Sequence, residues 1–333
     1  MPSWVFWKGI LMACSSKEPR RPEGPDILDT RMVLKFSHTP VMLSEVVSFL
    51  KCSARKLYVD ATVGGGGHAK AILEASQPSG RLFGIDQDPD AVRAALENLK
   101  LFGNRVTIRQ GSFSKIGNLV RETYSGCIDG MLLDLGVSSY QLDMPLRGFS
   151  FGKAGPLDMR MNPDLPMSAA DVVRDCNEEE LAGIIFEFGE ERYAKRIANG
   201  IVKRRRISPI VTTQDLVQVV LASVPPAARR GKIHPATRTF QALRIYVNNE
   251  LGELKNFLED APSLLCPEGR LVIIDYHSLE DRLVKRAFRD WERRGGYKVV
   301  TKRVVTPSDE ETRKNRRSRS AKLRVLERED QYE

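Results

Sequence analysis

The sequence predicts an α/β protein built on a doubly wound, mostly parallel sheet that carries a mostly helical insertion. Three observations predict it. An apolar run at residues 57–61 stops at a glycine cluster and is followed by a helical pattern at 69–75, which reads as strand, turn, helix. Further apolar runs follow at 82–85, ending on Asp86, and at 128–135, containing Asp134. The alternation of strands and helices then stops, and from about 141 to 247 the apolar spacing is helical with little strand signal.

Taken in order, the chain begins with an apolar but short stretch at 4–14, broken by Lys8, and a Pro- and charge-rich run at 15–31 of disordered type. Residues 1–37 are read as a loose N-terminal extension, with Met32 a natural alternative start; a weak mitochondrial-type presequence is left open. Residues 38–50 predict a turn and an amphipathic helix with Ser44 as its cap. Asp88-Pro89 opens a helix over 91–99, with acid at the cap and proline in the first turn. A third strand is expected at 105–109 and a fourth at 128–135. Helices are expected at 178–188, 190–203, 213–221 and 238–258. A fifth strand follows at 269–276, then a helix opened by His277-Ser278-Leu279-Glu280-Asp281 with Ser278 and Asp281 as a capping-box variant. Residues 297–305 and 322–327 close the sheet. The predicted division is therefore 38–140 with 248–333 as a discontinuous sheet domain, and 141–247 as the helical insertion.

Composition narrows the class of partner. The chain has 333 residues, 41% of them hydrophobic, enough for a full core. A net charge of +9, from 52 basic and 43 acidic residues, points to a polyanion, with nucleic acid ahead of a membrane surface. The five cysteines are scattered singly with no C-x-x-C pair, so neither a disulfide framework nor a zinc site is expected, and a reducing compartment is. His234 and His277 are not at metal-ligand spacing, so no metal is expected. No apolar stretch approaches the roughly 20 residues of a membrane span.

The glycine turn and Asp86 together read as a nucleoside-cofactor site. Glycines let the backbone approach a ligand, the helix start offers free N–H groups, and an acid after the second strand is placed to take ribose hydroxyls. Gly64, Gly66 and Ala69 also satisfy the G-x-G-x-x-A dinucleotide fingerprint. Asp60, directly before the turn, favours S-adenosylmethionine over NAD: it is poised for an ammonium group and would repel a pyrophosphate. A tight turn with a charged strand end is the plain alternative.

At the end of the fourth strand stands Asp134-Leu135-Gly136-Val137-Ser138-Ser139-Tyr140-Gln141. Ligands in open parallel sheets lie beyond the carboxyl ends of the strands, so Asp134 should face the crevice of Gly66 and Asp86, unless it only caps a turn. The loops at 147–151 and 155–161 carry Arg147, Asp158 and Arg160 without strand pattern, as substrate-binding segments do. Basic residues concentrate at 203–206 and at Arg229, Arg230, Lys232, His234, Arg238 and Arg244, each cluster either a solvated face or a phosphate contact. The Arg- and Lys-dense segment 308–320 reads equally as an RNA contact and as a disordered tail.

These residues resemble a family. His38-Thr39-Pro40-Val41, Asp60-Ala61-Thr62 with the glycines through His68, the Asp134 stretch, Arg147-Gly148-Phe149-Ser150, Gly155-Pro156-Leu157-Asp158-Met159-Arg160-Met161, Gly189-Glu190-Glu191-Arg192, Pro235-Ala236-Thr237-Arg238-Thr239-Phe240-Gln241-Ala242-Leu243-Arg244 and His277-Ser278-Leu279-Glu280-Asp281-Arg282 closely resemble the RsmH (MraW) family of ribosomal-RNA cytosine-N4 methyltransferases. The resemblance runs from about His38 to Val325. It implies a class I, Rossmann-like methyltransferase sheet, S-adenosylmethionine as methyl donor, and a cytidine in the decoding region of small-subunit (16S) ribosomal RNA, free or in a ribosomal particle, as acceptor. Cofactor contacts are implied at Gly66, Gly67, His68, Asp86, Phe113, Asp134 and Gln141, and a helical insertion for substrate recognition. Asp275-Tyr276 departs from the Ser-Phe usual in the family, and the N-terminal extension exceeds the usual bacterial start. A cytoplasmic, bacterial-type location is implied, with an organellar one and a homodimer left open.

The chemistry sets further expectations. The exocyclic amine of cytosine is a poor nucleophile, so an acceptor must hold its N–H groups while the lone pair meets the methyl carbon. Asp134, or a backbone carbonyl just after it, with Ser138 nearby, is the expected acceptor; Asp134 serving the cofactor alone is the alternative. Phe113 should lie against the adenine. His277 is either a base or a structural histidine, since the proton can leave to water after transfer. Arg147, Arg160, Arg238 and Arg244 are the expected RNA contacts. Rival readings are a methyltransferase of small molecules or proteins, a non-catalytic ribosome-assembly factor that keeps the pocket, and an NAD oxidoreductase.

Overall fold

Leu57–Asp60 (β1) lies inside a sheet whose strands alternate their side chains between two apolar cores. The computed structural model describes residues 40–231 and 233–330; the expectations for residues 1–37, and the motif residues His38 and Thr39, lie outside them. Seven strands follow in the order β3-β2-β1-β4-β5-β7-β6, where β2 is Arg81–Asp86, β3 Val106–Gln110, β4 Ile128–Asp134, β5 Leu265–Asp275, β6 Tyr297–Val299 and β7 Lys322–Arg328. β1 to β5 pair in parallel, and β7 runs antiparallel to both β5 and β6. The chain order reverses between β1 and β4, the switch point at which open sheets leave a crevice. This is a doubly wound, Rossmann-like sheet with an antiparallel seventh strand.

Burial explains why these runs are strands. Leu271 and Ile273 of β5 join one core with Val59, Phe83, Met131 and Leu133, while Val272 and Ile274 join the other with Tyr58, Leu82 and Leu132. A strand buried on both faces reads as a continuous apolar run, and each large side chain removed from water contributes about 1.5–3 kcal/mol.

The described residues divide into two compact units: Met144–Arg160 with Pro166–Val247, and the sheet unit holding 40–143, Met161–Leu165 and 248–330. The short return at Met161–Leu165 has no counterpart in the contiguous insertion expected at 141–247. In the first unit the helices run Ala169–Asp175, Glu178–Gly189, Ala194–Ile207, Thr213–Ser223 and Thr237–Val247. Three of them begin at reciprocal caps, Ser168 with Asp171, Asn177 with Glu180 and Thr212 with Asp215. None of the described helices is long and apolar enough to cross a membrane.

Several local expectations are corrected. The helix expected over 238–258 is two, ending at Val247 and resuming at Glu250–Asp260, because Asn249 takes a left-handed conformation (φ 48°). The helix expected from 190 starts at Ala194, because Glu190 is also left-handed (φ 48°). Ser44 does not cap the first helix, Leu43–Phe49; its hydroxyl bonds Glu45 from inside the first turn. The helix Ser278–Arg294 is capped by His277 with Glu280, one residue before the expected Ser278 and Asp281. The expectation that no cysteines pair is also corrected. Cys127 and Cys266, 139 residues apart in sequence, are joined by a disulfide. They flank Ile128 and Leu265, which are register partners on β4 and β5, so the sheet brings together two residues that no spacing rule connects. Finally, 308–320 is folded, not tail-like: it holds a helix at Asp309–Lys314 and a 3-10 turn at Arg316–Ser320.

Candidate functional site

The carboxyl ends of β1, β2 and β4 carry Asp60, Asp86 and Asp134, all within the sheet unit. The turn after β1 binds the first two together. Gly66 caps the helix Gly67–Ala75 at φ 84°, a conformation that side chains resist, and a Cβ on Gly67 would stand 2.5 Å from Cγ of Pro40. The Gly64 amide donates to Asp86 Oδ2 at 2.9 Å, and the Asp88 amide donates to Asp86 Oδ1 at 2.9 Å. Asp86 is thereby fixed facing the glycine turn. A carboxylate has about four acceptor positions, so capacity for two ribose hydroxyls remains.

Asp60 is the most unusual group of the three. It is 1% exposed; Oδ1 accepts the Thr62 amide at 3.2 Å, and Oδ2 has no hydrogen-bond partner among the described residues. Burial, then the nearby charges of Asp134 and Asp86, raise its carboxyl to about 8. Burial likewise raises Asp86 to about 6, against the pull of the Asp88, Gly64 and Gln87 amides. A buried carboxylate oxygen lacking a donor is costly unless a ligand supplies one, and three mutually repelling carboxylates favour a cation. The donor set therefore fits a ligand bearing a sulfonium and an ammonium, and disfavours a pyrophosphate.

Asp134 is held from several sides. Its amide donates to Thr62 Oγ1 at 2.8 Å, and its Oδ1 accepts the Tyr276 hydroxyl at 2.8 Å. His68 is buried, and its Nε2 donates to the Val41 carbonyl at 2.9 Å. Burial lowers this imidazole to about 4, so it is neutral near pH 7. Its Nδ1 then stands as an acceptor 3.7 Å from Asp134 Oδ2, an arrangement that a hydrogen-bond donor would satisfy.

Gln141 enters through Asp88. Its Nε2 donates to Asp88 Oδ2 at 2.8 Å and its Oε1 accepts the Ser138 amide at 3.0 Å, which ties the short helix Ser139–Asp143 to the end of β2. Ser138 Oγ accepts the Gln141 amide at 3.2 Å, as a helix cap does. Phe113 follows β3 at a 3-10 turn and packs edge-on against Phe257, with ring centroids 5.8 Å apart. Thus hydrogen bonds link Asp86 to Gln141 through Asp88 and hold Asp134 between Thr62 and Tyr276, His68 stands 3.7 Å from Asp134, Gly66 and Gly67 form the turn, and Phe113 packs against Phe257.

Sequence reasoning missed Thr62, Asp88 and Tyr276 as parts of this network, and Asp275. Asp275 is fully buried, neither carboxyl oxygen has a partner among the described residues, and burial with the charges of Glu280 and Asp281 raises it to about 8. The one available signal was the Asp275-Tyr276 departure from the family's Ser-Phe. Nor did spacing reveal that Glu250, His277 and Glu280 bring ligand atoms within 4.8 Å of one another, a set able to hold a cation. Glu280 Oε2 there also accepts the amides of Tyr276 and His277.

The four arginines expected to meet RNA all lie in the helical unit and differ in availability. Arg238 is exposed, and its guanidinium reaches the Glu190 carbonyl at 3.0 Å. Arg147 and Arg160 are half-buried: Arg160 grips Asp158 through two bonds, Nε to Oδ1 at 2.9 Å and a terminal nitrogen to Oδ2 at 2.8 Å, and Arg147 donates to the Arg160 carbonyl at 3.1 Å. Arg244 is also half-buried, in the last turn of Thr237–Val247.

A switch-point crevice that gathers a glycine turn and three carboxylates, the buried one short of a donor, defines a class I S-adenosylmethionine-dependent methyltransferase. The MraW methylase family model matches residues 35–329. "Ribosomal RNA small subunit methyltransferase H" of Geobacter sulfurreducens is 50% identical over 88% of this chain and 99% of its own length. The protein of the same name from Carboxydothermus hydrogenoformans is 48% identical over 88% and 98%. The chain belongs to the MraW methylase family. Among solved structures, the N-methyltransferase NodS from Bradyrhizobium japonicum aligns over 86% of this chain and 94% of its own at 8% identity and a TM-score of 0.40.

Proposed function

We infer that this protein transfers the methyl group of S-adenosylmethionine to the N4 amine of a cytidine in the decoding region of small-subunit ribosomal RNA. The observation that carries the reading is similarity at 50% identity, over nearly the whole length of the relative, to a small-subunit ribosomal RNA methyltransferase. Acting on ribosomal RNA would place it in the cytoplasm of a bacterial-type cell.

When bound, S-adenosylmethionine supplies an activated methyl group on a sulfonium. Asp60 would pair with its ammonium, Asp86 with the ribose hydroxyls, and Gly66, Gly67 and His68 would line the turn beside it. Phe113 would offer an apolar edge to the adenine, and Gln141 would hold Asp88 and so the end of β2. Asp134, which Tyr276 and Thr62 hold, would accept an N–H of the cytosine amine and so direct its lone pair at the methyl carbon, with Ser138 as the second candidate. Its role in holding cofactor is the competing assignment. The helical unit, with Arg147, Arg160, Arg238 and Arg244, would recognise the RNA.

Mapping of methylcytidine in small-subunit RNA from cells with and without the gene tests the reaction; a site lost with the gene and restored by the wild-type chain is the expected result. Restoration by Asp134→Asn with undiminished single-turnover rate would remove Asp134 from the chemistry. Binding of S-adenosylmethionine with no methylated cytidine in any ribosomal RNA would instead favour a non-catalytic assembly factor.

A further inference from the structure

The connection between β6 and β7 holds charge that the site described so far does not use. β6 is antiparallel to β7, which is antiparallel to β5, so β6 runs with β5 and the segment after it emerges at the carboxyl rim of the sheet. That is the rim bearing Asp60, Asp86 and Asp134. Two bonds pin the segment there. Glu311 Oε1 accepts the Met42 amide at 2.7 Å, next to Val41, whose carbonyl accepts the hydrogen bond from His68. Arg317 makes a double bond pair with Asp143, at 2.7 and 3.3 Å, at the end of the helix that carries Gln141. Within the segment Ser308 caps its helix and buried Ser318 donates to the Asn315 carbonyl at 2.8 Å.

The segment from 300 to 320 contains seven basic and three acidic residues, and the acids are largely engaged: Glu311 by Met42 and Glu310 by Lys314. Arg313, Arg316 and Arg319 are exposed and, among the described residues, form no ion pair. A surface run of cations is ordinarily just solvated. Here the chain spends a carboxylate and buried polar groups to hold that run, already ordered, beside a crevice that must admit a polyanion. Guanidinium groups on an ordered segment bind phosphate with less ordering cost than cations on a free tail.

We propose that the β6–β7 connection is a phosphate-contacting rim of the catalytic unit, in which Arg313, Arg316 and Arg319 grip the backbone of single-stranded RNA flanking the target nucleotide. The assignment rests on the RNA-substrate reading and adds to it a contact surface outside the helical unit. Phosphate contacts position the strand and carry no sequence information, so the rim fixes where the cytidine lies along the crevice and leaves its identity to be read elsewhere.

The test is the salt dependence of binding to a single-stranded oligoribonucleotide of small-subunit decoding-region sequence, with full-length protein. Each lost contact to a single strand lowers the log–log salt slope by about 0.7, so the triple variant Arg313→Gln, Arg316→Gln, Arg319→Gln should lose about 2 from it. Affinity for S-adenosylhomocysteine and the melting temperature should be unchanged, and the corresponding triple Lys variant should keep most of the slope. A steep wild-type slope that the Gln variant retains overturns this proposal alone. A wild-type chain with no salt-dependent affinity for the RNA overturns the substrate reading, and the rim with it.

Discussion

The raised carboxyl of Asp60 makes ligand binding depend on pH in a way that can be worked out in advance. With its folded-state value near 8, Asp60 is mostly protonated at pH 7, and only the ionised form pairs with an ammonium. From pH 6, near the value that belongs to Asp86, to pH 7.5, affinity for S-adenosylmethionine should rise at first about tenfold per pH unit and about twentyfold in all, once partial loss of the ligand's ammonium is counted. It should level off near pH 8, where the ligand's own α-amino group, with a pKa of about 7.7–8.0, begins to lose its proton. Titration calorimetry in two buffers of different ionisation enthalpy should detect close to one proton released per ligand at pH 7. S-adenosylhomocysteine, which keeps the ammonium, should share the slope, and adenosine, which lacks it, should not. The sign for the unliganded protein is opposite. A carboxyl raised from 3.8 to about 8 holds its proton in the folded chain but loses it in the unfolded one, so stability falls as pH rises from about 4 to about 8. Asp60→Asn should abolish the binding trend and remove Asp60's share of the stability trend, leaving the shares of Asp275, also raised to about 8, and Asp86. An affinity flat across pH 6 to 7.5, or an Asn variant that keeps the slope, would refute the pairing of Asp60 with the ammonium.

Two further outcomes follow from the same network. Tyr276→Phe removes one hydrogen bond to a carboxylate, worth about 1.5–3 kcal/mol, and should lower kcat at least tenfold with little change in KM for the cofactor if Asp134 serves the amine; a rise in KM at constant kcat would assign the pair to cofactor binding instead. Gly67→Ala places a methyl 2.5 Å from Cγ of Pro40 and should destabilise the fold by about 1–3 kcal/mol, read as a lower melting temperature, with an unchanged melting temperature counting against the close approach.

The sheet was legible because its evidence is local. Residues 57–60, 82–85 and 128–133 are apolar runs that end at glycine or acid, and strands buried on both faces look that way. Parity along β5 then follows without further information, since Leu271 and Ile273 must face one core and Val272 and Ile274 the other. The break at Asn249 was not legible for the converse reason. Leu243 before it and Leu251 and Leu254 after it are all buried, so apolar spacing continues across the break, and one left-handed residue leaves no trace in it. The Cys127–Cys266 bridge was hidden as well: neither residue has a partner in sequence, and only the register of Ile128 against Leu265 brings them side by side.

The site divides along the same line between local and tertiary causes. Asp86 could be found because a two-residue geometry, the acid that ends one strand and the turn that follows another, recurs wherever a ribose is bound at a switch point. Tyr276 could not, because its function is a hydroxyl reaching a strand end 142 residues away, and nothing near it in sequence asks for a hydroxyl there. Its neighbour Asp275 sharpens the contrast. A fully buried carboxyl whose oxygens lack partners costs stability in any fold, yet β5 ends on it where an uncharged residue would satisfy the core. Burial keeps it protonated near pH 7, and a protonated carboxyl donates as well as accepts. The pair Asp275-Tyr276 therefore puts two neutral O–H donors at the end of β5, Asp275 among the charges of Glu280, Asp281, Lys322 and Arg324 and Tyr276 against Asp134. One of them is already bonded to Asp134, and that is the physical content of the departure from Ser-Phe.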